Sequence, residues 1–152
     1  MSLRPGQKIK DPEDLQCLLT TSGTTIIGDV LAVNPALVNS DGEWYACRVP
    51  TAADTKHGMP AVALAPGVNG TILSFATSGL VYANVLRSSE AIAVGDPLYF
   101  EATTRTFDIT APAAGVDLKV AAKALEVVAS GSGTSLIKVM LGGISGFGTS
   151  EA

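Results

Sequence analysis

The side chain best suited to acid–base chemistry is the single histidine, His57. Imidazole has an ordinary pKa near neutrality, so His57 could act as a general base for a neighbouring serine or threonine. It lies in the turn-like stretch DTKHGMP, residues 54–60, which carries no nucleophile motif. We therefore interpret His57 as an exposed loop histidine, assign no catalytic residue and predict that the chain is not an enzyme.

The acidic side chains and glycine loops do not form a recognisable ligand site. Four carboxylates are spread without the spacing of a calcium loop: Asp96, Glu101, Asp108 and Asp117. The loops GVNG, residues 67–70, and GSG, residues 131–133, lack the pattern of a phosphate cradle and are interpreted as turns. The sequence predicts no metal and no cofactor.

The two cysteines, Cys17 and Cys47, do not form a CxxC pair, and one histidine could complete a zinc site only in an improbable arrangement. We interpret both as reduced thiols in the core. A disulfide would require Cα atoms within ~7 Å, which the spacing alone does not decide.

Composition excludes two classes of partner. Charged residues make up 16% of the chain and the net charge is −4, so no basic field is available for a phosphate backbone. No apolar run approaches the ~18 residues of a membrane span, and the first ten residues lack the apolar segment of a signal peptide. We expect a soluble protein made in a cytoplasm, with neither nucleic acid nor membrane as partner.

The elements that would position these residues are short strands. From Cys17 onward, β-branched and apolar runs alternate with turn signals, which indicates an all-β, compact β-sandwich or β-barrel-like domain with short hairpins. Hairpin joints are predicted at residues 40–42, 77–79 and 130–133. In residues 105–109, alternation places Phe107 and Ile109 on the core face.

Residues 117–129 fit two patterns. Their alanines and leucines recur with helical spacing, and their composition favours helix. A preceding Pro- and Gly-containing loop and a matching partner across the 130–133 turn favour strand, which is our prediction.

Three regions and seven contact residues follow from this pattern. Residues 1–16 are predicted to form an extended N-terminal arm, residues 17–141 a single β domain with one core, and residues 142–152 a flexible, Gly-rich C-terminal tail. Adjacent aromatic residues in a strand face opposite ways, so one of Trp44 and Tyr45 should point outward. The candidate contact residues are Leu3, Arg4, Pro5, Lys8, Ile9, Trp44 and Tyr45.

The segment AVGDPLYF, residues 93–100, followed by TTRTF, residues 103–107, resembles the decoration or cement proteins of tailed-bacteriophage heads. The resemblance covers about residues 60–141. Further parts of the pattern, in matching order, are residues 61–64, 78–81, 122–126 and 139–141.

This resemblance implies a β-tulip-type domain that assembles as a homotrimer. It further implies that the chain binds the major capsid protein on the outer surface of the virion and stabilises the expanded head, after synthesis in the bacterial host cytoplasm. Because an oligomer makes the same contact several times, its overall avidity for the head would exceed the affinity of each weak contact.

Other classes remain open at this point. The VGDPL segment also resembles biotinyl or lipoyl carriers, but the candidate hairpin lacks the lysine that such carriers modify. A small hydrolase would need His57 and Asp54 with a nucleophile. A tail-tube or head-completion protein also assembles from β domains, in rings.

Overall fold

A computed structural model describes residues 14–20, 24–37, 45–51, 59–100, 104–111, 117–142 and 149–151. Within these ranges the regular structure is entirely β, which confirms the predicted fold class. None of these residues forms a helix long and apolar enough to cross a membrane. The strands are β1 (Asp14–Leu19), β2 (Thr24–Thr25), β3 (Val30–Leu37), β4 (Tyr45–Arg48), β5 (Met59–Ala63), β6 (Gly67–Val68), β7 (Ile72–Ala76), β8 (Ser78–Leu86), β9 (Pro97–Phe100), β10 (Phe107–Asp108), β11 (Asp117–Lys119), β12 (Ala122–Ala124), β13 (Thr134–Gly142) and β14 (Thr149–Glu151).

Ten of these strands form two closed barrels. The first barrel has the order β1-β4-β3-β5-β7, and the second has the order β10-β8-β13-β12-β9. In each barrel the first strand in chain order runs parallel to the third, and the remaining four pairings are antiparallel. When the five strands of each barrel are numbered in chain order, their order around both barrels is first, third, second, fourth, fifth. The chain therefore contains one five-stranded topology twice.

A short joint connects the two barrels. β7 ends at Ala76 and β8 begins at Ser78, so Thr77 alone separates them, and it is buried. The hairpin predicted at residues 77–79 is therefore wrong: β7 pairs with β1 and β5, whereas β8 pairs with β10 and β13. Gly79 does adopt a positive φ of 85°, but the chain uses that position to pass between barrels.

Each barrel has its own apolar cluster, and the clusters adjoin. The first contains both cysteines, with Phe75 as its largest side chain. The second, around Phe107, also includes Val30, Val62 and Ala76 from strands of the first barrel. Residues 17–141, predicted as one domain with one core, are therefore two barrels in direct contact. Neighbouring side chains of β3 and β5 enter different clusters: Val30 and Val62 belong to the second, whereas Leu31, Ala61 and Ala63 belong to the first. This explains the apolar runs at residues 30–33 and 61–63.

The remaining predictions at the joints have mixed outcomes. Residues 117–129 contain β11 and β12, and β12 pairs with β13 in the register expected for a turn at 130–133. The joint at 40–42 lies outside the described residues, although β3 and β4 on either side of it are antiparallel.

The proposed terminal segments both contain strand residues. β1 begins at Asp14, within the predicted arm, because it pairs with β7 on one side. β14 lies within the predicted tail and pairs with β11, so residues 149–151 have a backbone partner that the glycine-rich sequence did not indicate.

Candidate interaction surface

The most extended pairing in the structure joins β8 and β13. These strands pair from Ser78↔Gly142 to Leu86↔Thr134 without a break in register. Alternate residues on both strands point into the second barrel, including Ala83, Val85, Ile137 and Val139. The residues between them point outward and are unusually apolar for an outer surface.

We call the outward side chains of Leu80, Tyr82, Leu136, Lys138 and Met140 the β8–β13 face. Leu80 lies opposite Met140, and Tyr82 lies opposite Lys138. Leu80, Tyr82 and Leu136 are 65%, 50% and 51% exposed. The Lys138 ammonium lies 6.0 Å from the centre of the Tyr82 ring, in a cation–π contact. The face is thus apolar apart from one cation held over an aromatic ring.

A turn of the first barrel continues this face. Ile26 and Ile27 are more than half exposed, and the Asp29 N–H donates to the Ile26 carbonyl at 3.2 Å to close the turn. Gly28 has a φ of 92°, and a Cβ at this position would lie 2.6 Å from the Leu136 Cδ1 atom. Because the turn touches Leu136 at Gly28, this pair of exposed isoleucines belongs to a segment that adjoins the β8–β13 face.

The junction itself is fixed by backbone hydrogen bonds. The Gly28 N–H donates to the Ala63 carbonyl, and the Gly28 carbonyl accepts from the Asn84 N–H, both at 2.9 Å. The Val30 N–H donates to the Arg105 carbonyl, also at 2.9 Å. Residues 28–30 are therefore bonded to both barrels, and this segment cannot shift without breaking bonds on both sides.

The buried Asp29 carboxylate reinforces the same junction. It accepts from the Ile26 N–H at 3.0 Å and from the Asn84 Nδ2 at 3.2 Å. Arg105 Nη1 lies 3.7 Å from Asp29 Oδ2 and also donates to the Thr24 carbonyl. Every one of these partners contributes to holding the turn in place, so we interpret the cluster as structural.

The other carboxylates are used in the same way where the structure describes them. The Asp96 carboxylate accepts from the Ala93 N–H at 2.7 Å, within the turn formed by residues 93–96. Asp108 is buried and accepts from the Ser88 hydroxyl at 3.2 Å and from the Thr110 N–H at 2.8 Å. Across the described ranges, no three His, Cys, Asp or Glu residues come together as a metal site would require. The side chains of Glu101 and Asp117 lie outside the described part.

The cysteines lie inside the first barrel. Cys17 and Cys47 are both fully buried, and they do not form a disulfide bond. In the parallel pairing of β1 and β4, Leu19 is the neighbour of Cys47, which places Cys17 two positions away along β1. A hydrogen bond with Cys17 and burial both raise the pKa of the Cys47 thiol above its ordinary range. A thiol held protonated and enclosed in this way reacts slowly, as expected for a core residue.

Most of the contact residues predicted from the sequence cannot be placed. Leu3, Arg4, Pro5, Lys8, Ile9 and Trp44 lie outside the described residues, as does His57. Tyr45 is described: it is 38% exposed at the start of β4 in the first barrel, whereas the β8–β13 face belongs to the second.

The β8–β13 face was not predicted from the sequence, although the sequence contains a pattern that indicates it. The segment LIKVML, residues 136–141, is apolar at both alternating sets of positions except at Lys138. Such a strand must be covered on both sides or leave one apolar side exposed. Only the packing of the barrels shows that the second case applies.

Comparisons with known proteins bear on the fold. No protein-family model matches the chain, and no curated protein matches its sequence. Among solved structures, the fold is similar to that of the head fiber gp8.5 N base in bacteriophage phi29, with a TM-score of 0.50 and 15% sequence identity. The alignment covers 84% of this chain and 92% of the phage chain, so the likeness in fold extends over both barrels.

Proposed function

We propose that this chain is a structural virion protein that binds the outer surface of an assembled phage capsid and stabilises the expanded head. It acts without catalysis or cofactor, as a homo-oligomer, for which a trimer is our prediction. Its partner on the shell is the major capsid protein.

The observation that carries this proposal is the extent of the fold likeness. A protein described as the base of a phage head fiber has a similar fold over nearly its whole length. The sequence pattern of residues 60–141 independently resembles head decoration proteins. Two different kinds of comparison, one of sequence pattern and one of fold, therefore both support a structural protein of the phage head, and the decoration role is our proposal within that class.

The architecture suits a protein that must bind a crowded protein surface without aggregating. Closure of both barrels leaves their ten strands without free edges that could recruit other chains. The strands of the barrels would then contact partners through their side chains, and the apolar β8–β13 face offers a surface for such contacts. The predicted arm residues Leu3, Arg4, Pro5, Lys8 and Ile9, together with Trp44 and Tyr45, remain our candidates for contact with the shell.

Co-sedimentation with purified phage heads tests the proposal. Heads from the phage that encodes the chain, stripped of it, are mixed with the purified protein in expanded and unexpanded form. We expect saturable binding to expanded heads, and a higher temperature for DNA release when the protein is bound. A variant lacking residues 1–12 keeps β1 intact and should bind more weakly if the arm contributes.

Two results would contradict the proposal. Absence of binding to expanded heads would exclude decoration. Sedimentation with isolated tails instead of heads would favour the tail-tube class.

A further inference from the structure

The β8–β13 face exposes large apolar side chains in the isolated chain. Leu80, Tyr82 and Leu136 are at least half exposed, and the exposed Ile26 and Ile27 belong to the turn that adjoins Leu136. A contiguous apolar patch of this kind on a soluble protein marks an interaction site or an aggregation liability. A shell-binding surface stays uncovered until a shell exists, whereas a surface shared by two copies is covered as soon as the chains fold.

We infer that the β8–β13 face is covered by a second copy of this chain. The inference rests on the homo-oligomer in the proposed function and assigns it a surface. The charges on this surface support contact between two copies. Lys138 lies on the face, and Glu126 lies at the border of the face, where the Glu126 Oε1 atom accepts from the backbone N–H of Lys138 at 3.1 Å. The exposed Lys123, the partner of Met140 in the β12–β13 pairing, adds a second cation at this border. A second copy can place its Glu126 against these lysines, so that unlike charges are opposed.

The neighbourhood of Glu126 adds apolar area on that border. Val127 is 76% exposed, the highest value among the large apolar residues with described side chains. The Leu125 N–H donates to the Lys138 carbonyl at 2.9 Å, which sets residues 125–127 alongside β13. A second copy placed over Lys138 would therefore also cover apolar surface on the Glu126 side.

The test compares the solution mass of the wild type with that of variants in which two opposite residues are replaced by unlike charges, so that the strand pairing is kept. Leu80 and Met140 are directly opposite, so Leu80→Asp with Met140→Lys makes the face charged while placing unlike charges opposite each other on the two paired strands. The matched control, Val68→Asp with Thr24→Lys, introduces the same two charged residues at an exposed opposite pair of β2 and β6. Circular dichroism reports folding of each variant.

We expect wild type and control to share one oligomeric mass, and the face variant to fall to the 15.5 kDa monomer over the same concentration range. Self-association should weaken at least about tenfold for each apolar side chain lost from the interface. A wild type that is monomeric at every concentration, or a folded face variant that keeps the wild-type mass, overturns the inference. If that variant keeps its mass but no longer binds heads, the face contacts the shell instead.

A mixing experiment tests the charge arrangement separately. Lys138→Glu and Glu126→Lys should each self-associate more weakly than wild type, because like charges then meet. When the two variants are mixed, unlike charges meet again, and a mixed species of higher mass should form. Unchanged mass in both single variants would contradict self-contact at this face. Head binding is measured in a different assay, so failure of the decoration proposal would be distinguishable from failure of this one.

Discussion

The two barrels share one strand topology but differ in what lies against their outer surfaces. In the first barrel, β3 and β5 are covered by the second barrel, whose apolar cluster takes in Val30 and Val62. In the second barrel, Leu80 and Tyr82 on the outer side of the β8–β13 pair are exposed in the part of the chain that the structure describes. Strands that are apolar on both sides have therefore been used in two ways: for packing within the chain, and for a surface available to partners.

The corresponding strands also differ in length. The first and fifth strands of the first barrel, β1 and β7, are six and five residues long, whereas β8 and β13 have nine residues each. On the outer side of the shorter pair, Gln16 lies opposite Ser74 and Leu18 opposite Ile72. Repetition of a topology thus leaves room for one copy to present a longer and more apolar surface.

The largest expected effect tests whether the barrels unfold together. Phe75 and Phe107 are fully buried, one in each barrel. Replacing either by alanine should lower the free energy of unfolding by about 3–5 kcal/mol through lost burial and a cavity. Because the clusters adjoin at Val30, Val62 and Ala76, we expect each variant to unfold in a single transition.

Urea denaturation followed by circular dichroism and by tryptophan fluorescence measures both quantities. Coincident curves would support one cooperative unit. Two separated transitions, with each substitution moving only one of them, would show that the barrels are independent.

A smaller effect is expected at the junction. Gly28→Ala would introduce a Cβ 2.6 Å from Leu136 Cδ1 at a φ of 92°. The backbone conformation and the clash together should cost about 2–3 kcal/mol. Gly95→Ala is the matched control, because Gly95 has a φ of 93° and nothing within 4 Å of the added atom. It should cost about 1 kcal/mol, so equal losses in thermal denaturation would show that the contact with Leu136 is unimportant.

The smallest effect distinguishes two adjacent serines of the second barrel. Ser88 and Ser89 have φ values of 49° and 68°, the positive values among described non-glycine residues. Ser89→Gly should raise the free energy of unfolding by about 0.5 kcal/mol, because glycine adopts this conformation without strain. Ser88→Gly relieves the same strain but loses the hydrogen bond to the buried Asp108. A gain from Ser88→Gly equal to that from Ser89→Gly would show that the Asp108 contact contributes little.

Strands and turns that depend on residues close together in the sequence were predictable. Phe107 was expected on the core face and is fully buried in the second barrel, and the turn expected at residues 130–133 lies between the paired strands β12 and β13. The start of β3 was less predictable: it begins at Val30 because Gly28 and the Asp29 carboxylate form a turn before it. Such a turn depends on Asn84 and Arg105, which are distant in the sequence.

The candidate site was less predictable than the strands. Tyr45 was identified as a contact candidate because one of two adjacent aromatic residues must point outward. The same reasoning about alternation applies to Leu80 and Tyr82, yet an apolar residue on the outer side of a strand can equally be buried by another element. Val62 shows this outcome, since it points out of the first barrel and into the cluster of the second.

By itself, the sequence determined that the chain is all β, where several of its strands lie, and that no familiar catalytic motif is present, because these follow from residue type and spacing over short distances. Only the tertiary structure decided that β7 and β8 belong to different barrels, that one topology occurs twice, and that large apolar side chains on the β8–β13 face are exposed among the described residues. Strand pairing and the covering of a surface depend on residues far apart in the chain, and no local pattern specifies which strand or surface will meet which.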